Sequence, residues 1–410
     1  MKNILRFICV MFSVLTTMNP LLAQWVQVGL DSLDVHTLAF TDTNLFAGTH
    51  SDGVFRSTDN GTNWTQIGLD SVVVNAFALS GTNLFAGTWG GIFRSTDNGD
   101  SWILVNNHFG VTSLAINTSG HVFAGAVTFS QSGIVLLSTD NGANWTGRLL
   151  PGSGVTSLAI NASGQVFAGT YIDGVFRSTN NGTNWTQIGL DSVGVNAFAS
   201  SGTNLLAGTY RGVFLSTDDG TSWTQTTLDS SVSVFAFAIS GTNLFAGTGF
   251  CNVFCTDGRV FVSTNDGTSW TEASTSLITN AIQALAVSDT YLFAGSWGFA
   301  GGVWRGPLAE MITSAEMLST NLPAHFHLAQ NYPNPFNPET RIKFQISNSN
   351  FVSLKVYNLL GQEVATLVEE EMRPGSYDVT WDAGGFASGV YLYRLTAGAF
   401  TETRKLTLMR

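Results

Sequence analysis

The sequence predicts an all-β protein: a seven-bladed β-propeller, whose N-terminal strand closes the last blade, followed by a small immunoglobulin-like β-sandwich. A tetrapeptide of the form Phe-Ala-Gly-Thr recurs seven times between residues 46 and 296, at intervals of 38 to 48 residues. A second motif, Ser-x-Asp/Asn-x-Gly-x-x-Trp, follows six of these copies. Glycine accounts for 44 of 410 residues and charged residues for only 11%, a composition that suits strands joined by tight turns.

One repeat unit divides into four strands. Residues 74–79 alternate between apolar and polar types, and turns rich in Gly, Asn and Asp separate them from 84–88, 91–95 and 102–105. Alternation with these turn residues is the signature of antiparallel hairpins. Four strands in about 40 residues, repeated along the chain, are typical of propeller blades.

The two ends of the repeat region complement each other. The seventh unit stops at residues 302–306 and lacks its final strand, whereas residues 25–32 (WVQVGLDS) closely match 64–71 (WTQIGLDS). We therefore expect the N-terminal strand to become the outer strand of the seventh blade. Pairing the two ends in one sheet would close the ring and protect an open sheet edge.

The charge distribution restricts the possible partners. Residues 25–306 contain no lysine, seven arginines and eighteen acidic residues, which gives this segment a net charge of −11. Nucleic acids and anionic lipids require clustered positive charge. The sequence therefore argues against both as partners of the propeller.

The N-terminus reads as a signal peptide over residues 1–23. Lys2 and Arg6 precede the apolar run 7–15, and Ala23 is a plausible last residue before cleavage. A buried N-terminal helix is the alternative. No later segment is long and apolar enough to cross a membrane.

Two cysteines, Cys251 and Cys255, remain after the signal peptide is removed. In an oxidising exterior, such a close pair predicts a local disulfide. A zinc site would need four ligands, and no histidine lies nearby. We predict no metal and no cofactor.

The second motif resembles the Asp-box (BNR repeat) of sialidases and related propellers. In such a turn the acidic residue accepts hydrogen bonds from backbone N–H groups, glycine takes a positive φ, and tryptophan packs on the sheet. Asparagine at two of the six positions fits a turn-capping role that needs no charge. The six positions are Asp59, Asp97, Asp140, Asn180, Asp218 and Asn265.

Bulky residues follow most copies of the tetrapeptide, on the face that usually carries propeller ligands. Long loops at 127–134, 249–259 and 297–302 break the repeat on the same face. A ring of aromatic side chains there would suit stacking on sugars or apolar side chains. The alternative is that aromatic residues simply cover blade edges at strand ends. The candidate ligand-binding residues are His50, Trp89, Phe129, Tyr171, Tyr210, Phe250 and Trp297.

No catalytic residues can be assigned. Sialidase-type hydrolysis needs three convergent arginines, but Arg56, Arg94 and Arg177 share one repeat position and should spread around the ring. Arg211 and Arg259 are better placed but make only two, and Glu272 is the only glutamate of the propeller. An exported, non-catalytic binding or adhesion protein is the leading hypothesis. The alternatives are a glycoside hydrolase or polysaccharide-binding accessory of sialidase or xyloglucanase type, and an assembly scaffold.

A linker, 307–327, leads to a second domain over 328–410. Its motifs are Asn331-Tyr332-Pro333-Asn334-Pro335-Phe336-Asn337-Pro338, which we expect to be extended, followed by six alternating strands, Gly389-Val390-Tyr391 and the basic pair Arg404-Lys405. They resemble the type A C-terminal sorting domain of the type IX secretion system. The resemblance implies export through the periplasm by that machinery, to the outer cell surface or the medium.

Overall fold

The structure is a computed structural model. It describes residues 25–409 except 42, 108, 229, 252–254, 275, 276, 278, 299, 314–324, 349, 373 and 374. The side chains of residues 250, 251, 255 and 256 also lie outside the description. The predicted signal peptide, 1–23, falls outside the described residues, as does much of the predicted linker.

From Val26 to Pro307 the described residues form seven four-stranded antiparallel sheets. The first strand of the chain is β1 (Val26–Gln27). Sheet 1 contains β2 (Val35–Phe40), β3 (Leu45–Thr49), β4 (Val54–Ser57) and β5 (Thr65–Gln66). Sheet 2 contains β6 (Val74–Ser80), β7 (Asn83–Thr88), β8 (Gly91–Ser95) and β9 (Ile103–Asn106). Sheet 3 contains β10 (Gly110–Ile116), β11 (Val122–Val127), β12 (Ser132–Ser138) and β13 (Thr146–Ser153).

The remaining four sheets follow in chain order. Sheet 4 contains β14 (Val155–Ile160), β15 (Val166–Thr170), β16 (Val175–Ser178) and β17 (Thr186–Gly189). Sheet 5 contains β18 (Val195–Ser201), β19 (Asn204–Thr209), β20 (Gly212–Ser216) and β21 (Thr224–Gln225). Sheet 6 contains β22 (Ser233–Ser240), β23 (Asn243–Cys251), β24 (Cys255–Ser263) and β25 (Thr271–Glu272). Sheet 7 contains β26 (Ala281–Val287), β27 (Tyr291–Trp297), β28 (Gly302–Pro307) and β1.

The first strand of each sheet contacts the first strand of the next, and β26 of sheet 7 contacts β2 of sheet 1. The repeated tetrapeptide explains this close approach. A Cβ added to Gly87 would lie 2.6 Å from the Val111 side chain of the next sheet, and one on Gly295 would lie 2.7 Å from Val35. Glycine is therefore required where a valine of the following sheet packs against the backbone.

Polar side chains also bridge neighbouring sheets. On the first strands, Asn75 Nδ2 donates to the Val111 carbonyl at 2.9 Å, and Asn196 Nδ2 donates to the Val234 carbonyl at 3.1 Å. Four arginines of the third strands each donate Nη1 to a backbone carbonyl in the next sheet. These pairs are Arg56 with Asn98, Arg94 with Asn141, Arg177 with Asp219 and Arg305 with Asn60.

The first strand closes the ring, as the sequence predicts. Val26 pairs with Arg305 across the β1–β28 ladder, and Val28 N donates to Val303 O at 2.8 Å. Trp25 is buried, and its indole N–H donates to the Ala273 carbonyl at 2.9 Å. A short helix, α1 (308–313), packs Leu308 and Met311 into the same core cluster. The sequence analysis assigned no structure to this part of the linker, because six residues are too few for helical periodicity to be visible.

The repeated Ser-x-Asp/Asn-x-Gly-x-x-Trp turn is held by its own side chains. In the first copy, Asp59 accepts hydrogen bonds from Ser57 Oγ at 2.8 Å and from Asn63 N at 2.8 Å. Such hydrogen bonds lower the pKa of Asp97, Asp140 and Asp218 to about 2. Asn180 makes the equivalent bonds through its amide oxygen, with Ser178 Oγ at 3.0 Å and Asn184 N at 2.9 Å.

The C-terminal residues form two antiparallel sheets around one core. The first sheet contains β29 (His327–Leu328), β30 (Glu339–Ile346) and β33 (Gly375–Asp382). The second contains β31 (Asn350–Tyr357), β32 (Glu363–Met372), β34 (Gly389–Ala397) and β35 (Phe400–Leu408). Phe344 and Trp381 of the first sheet share a buried cluster with Val356 and Tyr393 of the second. The six strands predicted here are confirmed.

The proline-rich segment 331–338 was expected to be extended, and this prediction is wrong. Single bridges at Tyr332 and Phe336 are separated by bends. Asn331 is buried, and its amide donates to Pro333 O at 3.0 Å and to Thr340 Oγ1 at 2.9 Å. These bonds fold the segment back onto β30, and its sequence contains no signal for them.

Truncation of Trp25 tests the closure of the ring. Trp25→Ala should lower the free energy of unfolding by about 3 kcal/mol or more, because it leaves a cavity between β1, α1 and Ala273. Urea unfolding followed by circular dichroism would measure the loss. Val26→Ala on the same strand is the control, since Val26 is 52% exposed and should change stability by less than about 0.5 kcal/mol. Equal losses of unfolding free energy in the two variants would contradict a role of Trp25 in closing the ring.

Replacement of the acidic turn residues tests their role at low pH. A carboxyl whose pKa falls from 3.8 to about 2 on folding stabilises the protein above pH 4, and this contribution disappears as the pH falls toward 2. The triple variant Asp97→Asn, Asp140→Asn, Asp218→Asn should fold at pH 7 and lose less stability between pH 4 and 2. Melting temperatures across this range would measure the slope. An unchanged slope would show that these carboxylates do not couple to folding.

Candidate functional site

A pocket of about 570 Å³ lies where sheets 2, 3 and 4 meet. It is formed by the loops between the second and third strands and by the links between successive sheets. Trp89 follows β7, Phe129 lies between β11 and β12, and Tyr171 follows β15. Three of the predicted aromatic residues therefore converge on one pocket, and each comes from a different sheet.

The three aromatic side chains are largely open to solvent. Phe129 is 97% exposed, and Trp89 and Tyr171 are each 58% exposed. One edge of the Trp89 ring rests on the backbone, because a Cβ on Gly110 would lie 2.4 Å from Trp89 Cε3. The absence of a side chain at Gly110 thus makes room for the tryptophan.

Hydrogen bonds hold the loop that carries Phe129. Thr128 N donates to Ser132 O at 3.0 Å, and Ser132 N donates to Thr128 Oγ1 at 3.1 Å. Gln131, with φ of 65°, donates its N–H to Thr128 O at 2.9 Å. The turn is thus closed on itself, and it presents Phe129 outward.

The loop after β15 is tied to the link between sheets 3 and 4. Tyr171 N donates to Gly154 O at 3.1 Å, and Ile172 N donates to Ser153 Oγ at 3.1 Å. Ser153 N in turn donates to the Asp173 carboxylate at 2.6 Å. At the edge of the pocket, this carboxylate therefore already accepts a hydrogen bond from the backbone.

The described residues that line the pocket are all uncharged. Its polar side-chain groups are the amides of Asn107 and Gln131, the hydroxyls of Thr128 and Ser153 and the phenol of Tyr171. Amides and hydroxyls both donate and accept hydrogen bonds. The pocket therefore offers flat aromatic surface and neutral polar groups to a ligand.

Aromatic side chains continue beyond the pocket into sheets 5 and 6. Burial and then the nearby phenol of Tyr171 raise the pKa of Tyr210. The Tyr210 ring meets Phe235 edge to face at a centroid distance of 6.4 Å. The sequence analysis missed Phe235. The sequence offered one indication of it: Phe235 stands at the repeat position that Asn75 and Asn196 occupy in sheets 2 and 5.

The other predicted ligand-binding residues lie elsewhere. His50 is exposed in sheet 1, with its ring 5.0 Å from that of His36. Burial and then His50 lower the pKa of His36. Trp297 ends β27 in sheet 7 and pairs with Ala281. The side chain of Phe250 lies outside the described residues.

Cys251 and Cys255 face each other in the β23–β24 register. Their side chains are not among those that the structure describes, so the disulfide stays a prediction.

Four of the five arginines considered for a hydrolase, together with Glu272, are engaged elsewhere. Arg56, Arg94 and Arg177 bind backbone carbonyls between sheets, an interaction that the sequence analysis did not foresee. Arg259 forms ion pairs with Asp257 and with Glu272, the latter at 3.3 Å. The charge of Arg259 is therefore compensated by carboxylates of its own sheet.

Two classes of feature are missing from the described part of the chain. It contains no helix long and apolar enough to cross a bilayer. It also contains no group of three His, Cys, Asp or Glu side chains arranged to hold a metal ion.

Solved structures resemble the chain at the level of the fold. The extracellular domain of BT4673 from B. thetaiotaomicron, described as a one-component system, aligns with a TM-score of 0.57 at 16% identity, over 79% of this chain and 45% of that chain. The GH74 xyloglucanase of Xanthomonas campestris gives 0.55 at 14% identity, over 93% and 75%. The WD40 β-propeller domain of Doa1 gives 0.54 at 13% identity, over 69% and 96%. This chain thus spans less than half of the BT4673 chain, and identities this low indicate fold alone.

A family match identifies the C-terminal residues. Residues 330–409 match the secretion system C-terminal sorting domain. No curated protein matches the sequence. The chain is a β-propeller protein that carries a type IX secretion system C-terminal sorting domain, which directs its export to the cell surface or the extracellular space.

Proposed function

We propose that the chain is an exported, non-catalytic binding protein that uses the pocket between sheets 2, 3 and 4 to hold its ligand. In this proposal residues 1–23 are a signal peptide and 24–306 a seven-bladed Asp-box propeller. Residues 307–327 link it to an immunoglobulin-like sorting domain, 328–410, which engages the type IX secretion machinery.

One observation carries the proposal: Trp89, Phe129 and Tyr171 come from three sheets and line one pocket, and none of its described lining residues is charged. Exposed aromatic residues gathered at a concave site are typical of ligand binding. Each ring sits on a loop that is hydrogen-bonded to its own sheet or to the next. Ligand binding would therefore cost little additional ordering of the protein.

Binding without catalysis is supported by the chemistry of the lining. Glycoside hydrolysis generally requires two carboxyl groups beside the scissile bond, and the described lining contributes none. Asp173 at the rim is bonded to the backbone of Ser153. The carboxylates paired with Arg259 belong to sheet 6, away from the pocket.

A comparison of two tryptophan variants tests the proposal. A glycan and protein array probed with the full chain should yield a ligand whose affinity falls about tenfold or more in Trp89→Ala, or about 1.4 kcal/mol. Trp297→Ala is the matched control, because Trp297 follows the same tetrapeptide in sheet 7 but does not line the pocket. Binding unaffected by Trp89→Ala, or turnover of the bound glycan, would overturn the proposal.

A further inference from the structure

We propose that the pocket is one part of a longer binding surface, the aromatic row, and that its ligand is a linear, uncharged oligosaccharide. The aromatic row consists of Trp89, Phe129, Tyr171, Tyr210 and Phe235. This inference rests on the proposed binding function, and it adds the class of the ligand and the extent of the site.

The aromatic row crosses five consecutive sheets. The pocket joins Trp89 of sheet 2, Phe129 of sheet 3 and Tyr171 of sheet 4. The phenol of Tyr171 lies close enough to Tyr210 of sheet 5 to contribute to its raised pKa. Tyr210 then contacts Phe235 of sheet 6. A surface this long fits an extended chain better than a single small molecule.

Glycines support the rings at two points along the aromatic row. Trp89 rests on Gly110, as described above. A Cβ on Gly194 would lie 3.3 Å from Tyr210 Cε2 and 2.4 Å from the Tyr171 carbonyl oxygen. Rings held against backbone have one face or edge fixed and the rest open to a ligand. The flat C–H faces of sugar rings can stack on such surfaces.

The polar groups of the pocket favour a ligand with hydroxyl groups over a charged ligand. Asn107, Gln131 and Ser153 can each donate and accept hydrogen bonds, as sugar hydroxyls do. Acidic polysaccharides would need free cations, but residues 25–306 contain no lysine and carry a net charge of −11. Four of the seven arginines there bind backbone carbonyls between sheets, and Arg259 is paired with carboxylates. Arg211 directly follows Tyr210, but a single arginine does not make the cluster of cations that an acidic polysaccharide requires.

An apolar peptide is a less suitable occupant. Its side chains offer no hydrogen-bond partner to the amides of Asn107 and Gln131, so it could meet them only through its backbone, and buried polar groups without partners are costly. A glycan supplies such partners at every residue.

The aromatic row makes a prediction about chain length. Titration calorimetry of the full chain with neutral β-linked glucans and mannans of two to six sugars should show affinity that rises with length by at least tenfold. Trp89→Ala should weaken the binding of every oligosaccharide that the unmodified protein binds. Tyr210→Ala should reduce the affinity of the hexasaccharide by about fivefold or more and leave the disaccharide unchanged. Tyr210→Phe should retain the hexasaccharide affinity, since it keeps the ring.

Four outcomes would overturn the inference. These are equal affinity for two and six sugars, an unchanged hexasaccharide affinity in Tyr210→Ala, tighter binding of polygalacturonate than of neutral chains, and Trp89-dependent capture of a protein rather than a glycan. All four leave the proposed function intact where binding still depends on Trp89. A ligand whose affinity is indifferent to Trp89→Ala would instead remove both proposals, so the two failures are distinguishable. Melting temperatures equal to that of the unmodified protein would show that each variant is folded.

Discussion

The pairing of β1 with β28 is the constraint on which the repeat region depends. Each sheet packs its core against its two neighbours. An unclosed ring would therefore expose one side of each end sheet, and the valine of one end sheet would lose the glycine on which it packs. Closure joins residues separated by almost the whole region: Trp25 donates to Ala273, and Arg305 donates to Asn60. Sheet 7 lacks the repeated Ser-x-Asp/Asn-x-Gly-x-x-Trp turn, and α1 provides the cover for Trp25 there. The pocket is built across seams between sheets, and its geometry requires the same closure.

The pocket lies around sheet 3, which departs from the repeat. Sheet 3 has Ala126 where five other sheets have a buried threonine and sheet 7 has Ser296, and it has Leu137 where sheets 1, 2, 4 and 7 have an arginine. In other sheets the buried threonine accepts a hydrogen bond from the following loop. In sheet 3 this acceptor is Thr128, two residues later in the repeat. This shift lengthens the loop and brings Phe129 outward. A repeat protein gains a specific site where its units stop being equivalent, because equivalent units distribute identical groups around the ring.

The sequence predicted the elements of this site better than their assembly. Trp89 and Tyr171 could be identified because each follows a recognisable tetrapeptide, and Phe129 because its loop is long. Their convergence depends on loop conformation and on the rotation between sheets, which leave no pattern in the sequence. The arginine contacts were missed for a related reason: their acceptors are backbone carbonyls, which every residue possesses. The bend at 331–338 was missed because the hydrogen bonds of the buried Asn331, which tie the segment to Thr340, leave no pattern in the sequence.

The charged and neutral groups of the repeat region have different roles. Four arginines bind carbonyls between sheets, the turn aspartates cap their own backbone, and Arg259 is paired within sheet 6. What remains at the pocket is aromatic surface with amides and hydroxyls. The ligand class is inferred from the neutral lining of the pocket and from the scarcity of free cations beside it. The sorting domain has a core of its own, formed by residues 326–408. The binding surface can thus vary through its loops while the ring and the sorting domain stay unchanged.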